Sequence, residues 1–402
     1  MYVAALDLTD FRSYPRLSLR LEPGSTVFLG PNGQGKTNLL EAIGYVATLG
    51  SHRVASDAPL VSAGADRAIV RCTVMRAGRP ALVELELASG RANRARLNRA
   101  PVRRIADVLG TLRTVLFAPE DLALVKGDPA GRREFLDAFL VSSAPRWAAV
   151  RADLDRVIRQ RTSLLRSAAG LARAGRGADL RTLDVWDDQL VDLAAELITG
   201  RLDALARLRP HVRDAYQALS GGGQAEVSYR SAVVQAAGIE AAGSPSEVSA
   251  ALGDAMRGEL ARRRAEELDR GQCLVGPHRD DLVLGVGELP AKGYASHGES
   301  WSVALALRLG TFAALRQADD MGDPVLLLDD VFAELDERRR NRLAVLVADA
   351  EQVLVTAAVA ADVPGLLLER TNGTPTPAAD PGGAGAGPVL FEVTSGQVTR
   401  AA

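Results

Sequence analysis

The sequence predicts an α/β fold interrupted by a long, mostly helical insertion. Strand and helix patterns alternate over 1–130 and again over 272–402, while helical periodicity fills most of 131–271. An apolar run entering a glycine-rich turn near the start is matched by an apolar run ending in two aspartates near the end. Val3–Leu8 is apolar-rich, Leu17, Leu19 and Leu21 alternate with polar residues, and Val27-Phe28-Leu29 leads into the turn and a helix starting near Lys36. Segments 68–76 and 81–88 read as further strands.

In the middle, Trp147, Val150, Leu154, Val157 and Leu164 fall mostly three or four apart, with Arg161 in the one missing place. Leu183, Trp186, Leu190, Leu193 and Leu197 continue as a heptad seam. That spacing predicts a short antiparallel helical hairpin broken over Ser167–Ala178; a plain helical bundle core accounts for the same pattern. Residues 219–249 read as loop with one strand, Ala225–Tyr229, and a basic helix follows over 250–270. The last part predicts a helix from about 298, a strand at 325–328, a helix at 336–348 and a strand at 353–356. Thr371–Pro388 is Pro/Gly/Ala-rich, and a final strand is expected near 389–394.

Composition narrows the function classes. Apolar residues make up 47% and charged residues 24%, ordinary values for a globular protein. The net charge of −2 excludes a whole-protein basic field, so any nucleic-acid site must be a local patch. No secretory leader pattern opens the chain and no apolar stretch is long enough to span a bilayer. Cys72 and Cys273 lie far apart with no metal-like spacing, so the cytosol is the expected compartment.

Gly30-Pro31-Asn32-Gly33-Gln34-Gly35-Lys36-Thr37 matches the Walker A pattern. Glycines let successive backbone N–H groups turn toward phosphate oxygens, and the helix that starts there adds its positive dipole end. Lys36 is placed to reach the β- and γ-phosphates of ATP, and the Thr37 hydroxyl to hold Mg²⁺. Val325–Leu328 followed by Asp329 and Asp330 is a Walker B candidate: Asp329 for Mg²⁺, Asp330 for the attacking water. Ser296-His297-Gly298-Glu299-Ser300 opens a helix upstream of it, the arrangement of an ABC signature, and Glu334-Leu335-Asp336 fits a D-loop. Taken alone, Ser296 is an ordinary helix cap; the order of the motifs points to an ABC ATPase with a split, SMC-like head.

The motif set resembles the RecF family. The run Leu8–Tyr14, residues 30–43, Ser51-His52-Arg53, 117–127, 132–137, 276–282, the signature and 326–336 carry the resemblance, which reaches to about residue 365. It implies an ATPase head (1–130 with 272–402), an arm without a long coiled coil (131–271), and an ATP-dependent homodimer that sandwiches the nucleotides. It also implies binding to double-stranded, single-stranded and gapped DNA, RecR and RecO as partners, and a role in recombinase loading, replication-linked repair and SOS induction. By the same resemblance, Arg12 lies near the nucleotide base and Glu120 takes the Q-loop position. Two departures bear on catalysis: Asp330 stands where ABC ATPases carry Glu, and Thr356 where a His is often found. Both predict slow hydrolysis suited to a switch.

Arg91, Arg94, Arg96, Arg99, Arg103 and Arg104 fall within fourteen residues and form the candidate DNA strip; a solvated turn explains them equally simply. Arg262–Arg264 lie among acidic residues and read as a salt-laced helix face. His278-Arg279-Asp280-Asp281 reads as a charged surface turn, and the resemblance gives it a role at the head or dimer interface. The alternative function is an ABC-type ATPase subunit that acts on a protein or transporter partner without DNA.

Overall fold

The computed structural model describes residues 1–173, 180–239, 244–318, 322–368 and 388–401. They form two compact units. The first joins Met1–Val125, Pro210–Ala225 and Ala295–Ala402; the second joins Lys126–Arg209 and Glu226–Tyr294. Where the sequence divides the chain at 131 and 271, the structure brings the helical segment after Pro210 into the first unit, and Gly310 packs there directly on Val212. The second unit runs on to Tyr294 because a small sheet follows its last long helix.

In the first unit, β1 (Tyr2–Phe11) and β2 (Tyr14–Arg20) form a hairpin, and β3 (Gly24–Leu29) runs into the glycine turn and the helix Lys36–Thr48. Next come β4 (Arg67–Arg76), β5 (Arg79–Ala88), β6 (Arg94–Leu97), β7 (Ala100–Pro101) and β8 (Thr114–Phe117). One antiparallel sheet has the order β2-β1-β4-β5-β6-β7. Alternation along β4 and β5 buries Val70, Cys72, Val74, Val83 and Leu85 in a core shared with Leu39, Leu40, Ile43 and Val46 of the helix.

The second unit contains β9 (Ala225–Arg230), β10 (Asp281–Val286) and β11 (Leu289–Pro290) in one small sheet. Its helices include Pro129–Ser143, Trp147–Arg173, the start of Arg181–Ser220, and Pro245–Arg270. Trp147–Arg173 runs through the first part of the expected break; 174–179 lie outside the described residues. Trp147 packs on Gly200, Arg146 bridges to Glu196 and Arg161 to Asp187, so the two helices run antiparallel. A short helix, Ala232–Ala237, stands where 219–249 reads as loop; its Ser231 cap accepts a hydrogen bond from the Val234 N–H.

Arg161, the gap in the apolar seam, is fully buried. Its guanidinium forms a bidentate pair with buried Glu267 (2.9 and 2.6 Å) and reaches Asp187 at 2.5 Å. In the His278-Arg279-Asp280-Asp281 turn, Arg279 is exposed as the surface reading expects, but Asp280 and Asp281 are buried, which corrects that reading for the two carboxylates. Asp281 accepts a bidentate pair from Arg132 and a further bond from Arg230, while Asp280 accepts from Tyr229 at 2.6 Å. Arg262, Arg263 and Arg264 pair with Glu259, Glu266 and Asp184, which makes them the salt-laced face the sequence predicts.

Back in the first unit, β12 (Val325–Asp329), β13 (Gln352–Ala357), β14 (Val389–Thr394) and β15 (Gln397–Arg400) complete a second sheet, in the order β15-β14-β3-β13-β12-β8. Its strands are parallel apart from β15. The expected low-complexity segment lies outside the described residues over 371–387.

Two outcomes follow. Arg161→Ala strands Glu267 as a buried uncompensated charge and should cost about 3–5 kcal/mol, read as a lowered urea midpoint. Burial pushes His278 down from 6.5 to about 4, so between those values the unfolded imidazole binds a proton that the folded one does not. Stability should therefore fall as pH drops from 7 to 5, by about 2 kcal/mol, and His278→Gln should lose that component.

Candidate nucleotide site

Strand order builds the site. β13 separates β3 from β12, and parallel register brings the ends of all three strands to one edge of the sheet. The turn after β3 is Gly30–Gly35, and Gly35 precedes the helix with φ 111°, in the region that favours glycine. A side chain at Gly35 would also meet Ser13 Oγ and Tyr14 Oη, and the Tyr14 hydroxyl donates to the Gly35 carbonyl at 3.0 Å. The buried Lys36 ammonium donates to the Gly30 and Pro31 carbonyls (2.7 and 3.2 Å) and to Asn32 Oδ1 at 3.5 Å.

Thr37 Oγ1 donates to Asp329 Oδ1 at 2.9 Å, and Thr356 Oγ1 donates to the same oxygen at 2.7 Å. Thr356 Oγ1 in turn accepts the Asp330 N–H at 2.9 Å. The residue at the expected His position thus ties both aspartates to β13. Asp330 has φ 48°, a left-handed conformation that costs a non-glycine residue about 1–3 kcal/mol and is typical of functional turns. Burial, together with Asp329 and Asp362, holds its carboxyl above the usual range against the opposing pull of Lys36. His52 Nε2 is buried without a hydrogen-bond partner, 3.9 Å from Asp329 Oδ2.

The donor set fits an octahedral dication: one hydroxyl, one carboxylate, and room in the coordination scheme for phosphate oxygens and water. Thr37 and Asp329 would hold Mg²⁺ in that way.

Arg12, Ser51 and Arg53 converge on Glu41, a residue the sequence reading passed over. Arg12 grips its carboxylate at 2.6 and 2.8 Å, Ser51 Oγ donates at 2.5 Å and Arg53 stands at 3.5 Å. Burial pushes Glu41 upward, but the Arg12 and Ser51 hydrogen bonds prevail and hold it below its ordinary value. Arg12 NH1 also donates to the Pro59 carbonyl at 3.1 Å, so its guanidinium is largely committed to holding the loop. An apolar face with one Glu in a helix gives no sequence signal for such a hub.

Glu120 is exposed on the turn Pro119–Asp121. Its neighbour Asp121 is buried and accepts from Arg308 at 2.6 and 3.0 Å. Ser296 caps the helix His297–Gln317 and accepts the Glu299 N–H, while Glu299 accepts the Ser296 N–H at 2.8 Å, a capping box. A side chain at Gly298 would strike the Arg339 guanidinium; Arg339 donates to Ser302 Oγ at 3.0 Å and pairs with Asp336. The signature turn and the D-loop are therefore bolted together.

All six strip arginines are exposed. Arg104 pairs with Asp107, and Arg96 and Arg94 stand in register opposite Glu84 and Glu86. Arg91 and Arg99 are exposed with no ion pair given among the described residues, whereas Arg103 adds its charge to the field that holds Asp107 low. The sheet face beside the strip holds a depression of about 540 Å³ that includes Arg71, Arg94, Arg96 and Arg103.

Fold and site together define a P-loop ATPase head of the SMC type. The RecF/RecN/SMC N-terminal domain model matches residues 2–363. The chain belongs to the RecF family. It is 62% identical over 373 residues to the DNA replication and repair protein RecF of Kineococcus radiotolerans, covering 91% of this chain and 95% of that one. It is 63% identical to the protein of the same name from Frankia alni, covering 90% and 95%. Among solved structures, the recombination mediator protein RecF-ATP in the RecFOR pathway aligns with a TM-score of 0.83 at 24% identity, covering 100% of this chain and 98% of that one. An Smc head domain from Pyrococcus furiosus aligns at 0.53 and 14% identity, covering 100% and 96%, a likeness of fold.

Replacing Asp330 with Asn keeps the size of the side chain and removes its carboxylate. ATP turnover should fall about a hundredfold or more with nucleotide affinity retained, measured by phosphate release and equilibrium binding.

Proposed function

We propose that the protein is an ATP-gated DNA clamp of recombinational repair, in which nucleotide binding drives homodimerisation on DNA and slow hydrolysis resets it. The observation that carries the reading is the Thr37–Asp329–Thr356–Asp330 chain of hydrogen bonds beside the Walker A turn. Gly30–Lys36 would cradle the phosphates of ATP, and Thr37 with Asp329 would hold Mg²⁺. A bound cation would supply charge neutralisation of the phosphates. Asp330, its carboxyl kept basic by burial, would take a proton from the attacking water. Glu120 would orient that water from the Q-loop position, and Arg12 would act on the site through Glu41.

Ser296 supports the sandwich. Its hydroxyl accepts the Glu299 N–H and hydrogen-bonds the Glu299 carboxylate, so it would exchange that carboxylate for a γ-phosphate carried by a second copy. Gly298 would allow close approach of that phosphate. DNA would lie along the six-arginine strip, with Arg91, Arg99 and Arg103 giving most of the phosphate contact. RecR and RecO are the partners, double-stranded, single-stranded and gapped DNA the substrates, and the cytoplasm the site of action. Among the described residues no helix is long and apolar enough to cross a membrane.

Light scattering without nucleotide, with ATP, and with ATP plus gapped duplex tests the clamp. The wild type should dimerise and retain DNA only with ATP, and Lys36→Arg and Asp329→Asn should lose this behaviour. A chain that stays monomeric and ignores DNA throughout would move the weight to a protein-partner ATPase. Replacing Arg91, Arg99 and Arg103 together with Ala should flatten the salt dependence of duplex binding by about two to three log units of affinity per log unit of salt.

A further inference from the structure

The C-terminal hairpin lies beyond the region matched by the family model, yet it reaches the phosphate turn. β14 pairs in parallel with β3, register Val389↔Thr26 to Glu392↔Leu29, and Phe391 stacks on Phe28 with ring centroids 5.6 Å apart. The strand that delivers the Walker A turn is thus an interior strand, held by β13 on one side and β14 on the other.

Contact continues past the strand. Any Cβ at Gly30 would overlap the Val393 carbonyl. The hairpin then turns at Ser395-Gly396, with φ 50° and 74°, the two positive values of a tight type I′ connection. At that turn the Ser395 N–H donates to Gln34 Oε1 at 2.6 Å, and the Gly396 N–H donates to the Gln34 carbonyl at 3.3 Å. A Cβ at Gly396 would come within 2.8 Å of the Ser13 carbonyl oxygen, and Ser13 Oγ itself backs Gly35.

We propose that the hairpin 389–400 is a positioning element of the nucleotide site, with the Ser395-Gly396 turn setting the orientation of the Gln34–Gly35 peptide. The peptide bond is planar and trans. A Gln34 carbonyl aimed at Gly396 therefore obliges the Gly35 N–H to point the opposite way, away from the hairpin. An anion cradle depends on such N–H groups being aimed before the ligand arrives, because an array that must reorganise on binding forfeits affinity. The hairpin also fills the space in front of Gly30, so a side chain there would displace it. The proposal rests on the nucleotide reading above and adds a determinant some 360 residues downstream of the turn it controls.

Equilibrium titration of the full chain with a fluorescent N-methylanthraniloyl ATP tests it. Gly396→Val, strained in φ and crowded against Ser13, should raise the Kd about tenfold, and Gln34→Leu should do the same. Ser395→Gly keeps both N–H donors and should bind within about twofold of wild type. The double variant Gln34→Leu/Gly396→Val should be no weaker than the worse single, because both break one contact. A folded Gly396→Val with wild-type Kd, or single effects that simply add, would overturn the proposal. Should Gly396→Val fail to fold, Gln34→Leu decides alone: a raised Kd supports the hairpin's role and an unchanged one refutes it. A destabilising effect unrelated to the site would lower the melting temperature and leave the Kd of the folded fraction intact, which also refutes it. A wild type that fails to bind the nucleotide would instead end the nucleotide reading itself.

Discussion

One hydrogen bond organises the head: Thr37 Oγ1 to Asp329 Oδ1, 2.9 Å long and 292 residues apart in sequence. It can form only if β3 and β12 end at the same level, which the intervening β13 secures through parallel register with both. β13 contributes more than spacing. Thr356 lies directly across from Asp329 and supplies the second donor to the same carboxylate oxygen, so the buried charge is met from a strand and from the start of a helix. Because strand order rather than chain continuity joins the two motifs, a large insertion between them is tolerated.

The arm has its own constraint. Arg161 and Glu267 form a buried ion pair, with partly exposed Asp187 as a third member, and Arg201 grips Asp137 at 2.7 and 2.9 Å in the same unit. Such groups cost solvation that leucines would not, so their return lies in geometry. A bidentate pair accepts one register of two helices, whereas an apolar seam tolerates sliding. Leu183 and Leu165 share a small cluster with Cys273, and the triad beside them fixes which turn of one helix meets which turn of the other.

Much of this was legible in the sequence because local patterns carried it. The Walker A turn combines a spacing, a preceding apolar strand and a following helix, each of which physics explains separately. Asp329 was legible through its strand. The hairpin helices were legible through spacing, and Arg161 even announced itself as the exception. What was not legible is what depends on long-range pairing. Asp280 and Asp281 look like a surface turn because four charged or polar residues in a row usually are; their burial depends on Arg132, Tyr229 and Arg230, from two other segments. Glu41 reads as an ordinary helix residue until Arg12, Ser51 and Arg53 are brought to it. The C-terminal hairpin follows a low-complexity stretch and carries no motif, so nothing local points to its place beside β3.

The Asp330 end of the site and the Ser296 turn differ in how they are restrained, and on the proposed reading that difference would bear on timing. Asp330 is held through its backbone by Thr356 in a strained conformation, with its carboxyl raised by burial. On the proposed reading, a side chain one methylene shorter than the usual Glu, on a backbone tied by the Thr356 bond, would reach the attacking water less readily. The signature turn, in contrast, is rigid in its own frame: Gly298 is seated on Arg339, Arg339 is anchored to Ser302 and Asp336, and Ser296 and Glu299 cap each other. Binding across such a surface needs little reorganisation, whereas the chemical step needs a water placed at the edge of the carboxylate's reach. On the proposed function, a head built this way would close more readily than it hydrolyses, the kinetic order a clamp requires.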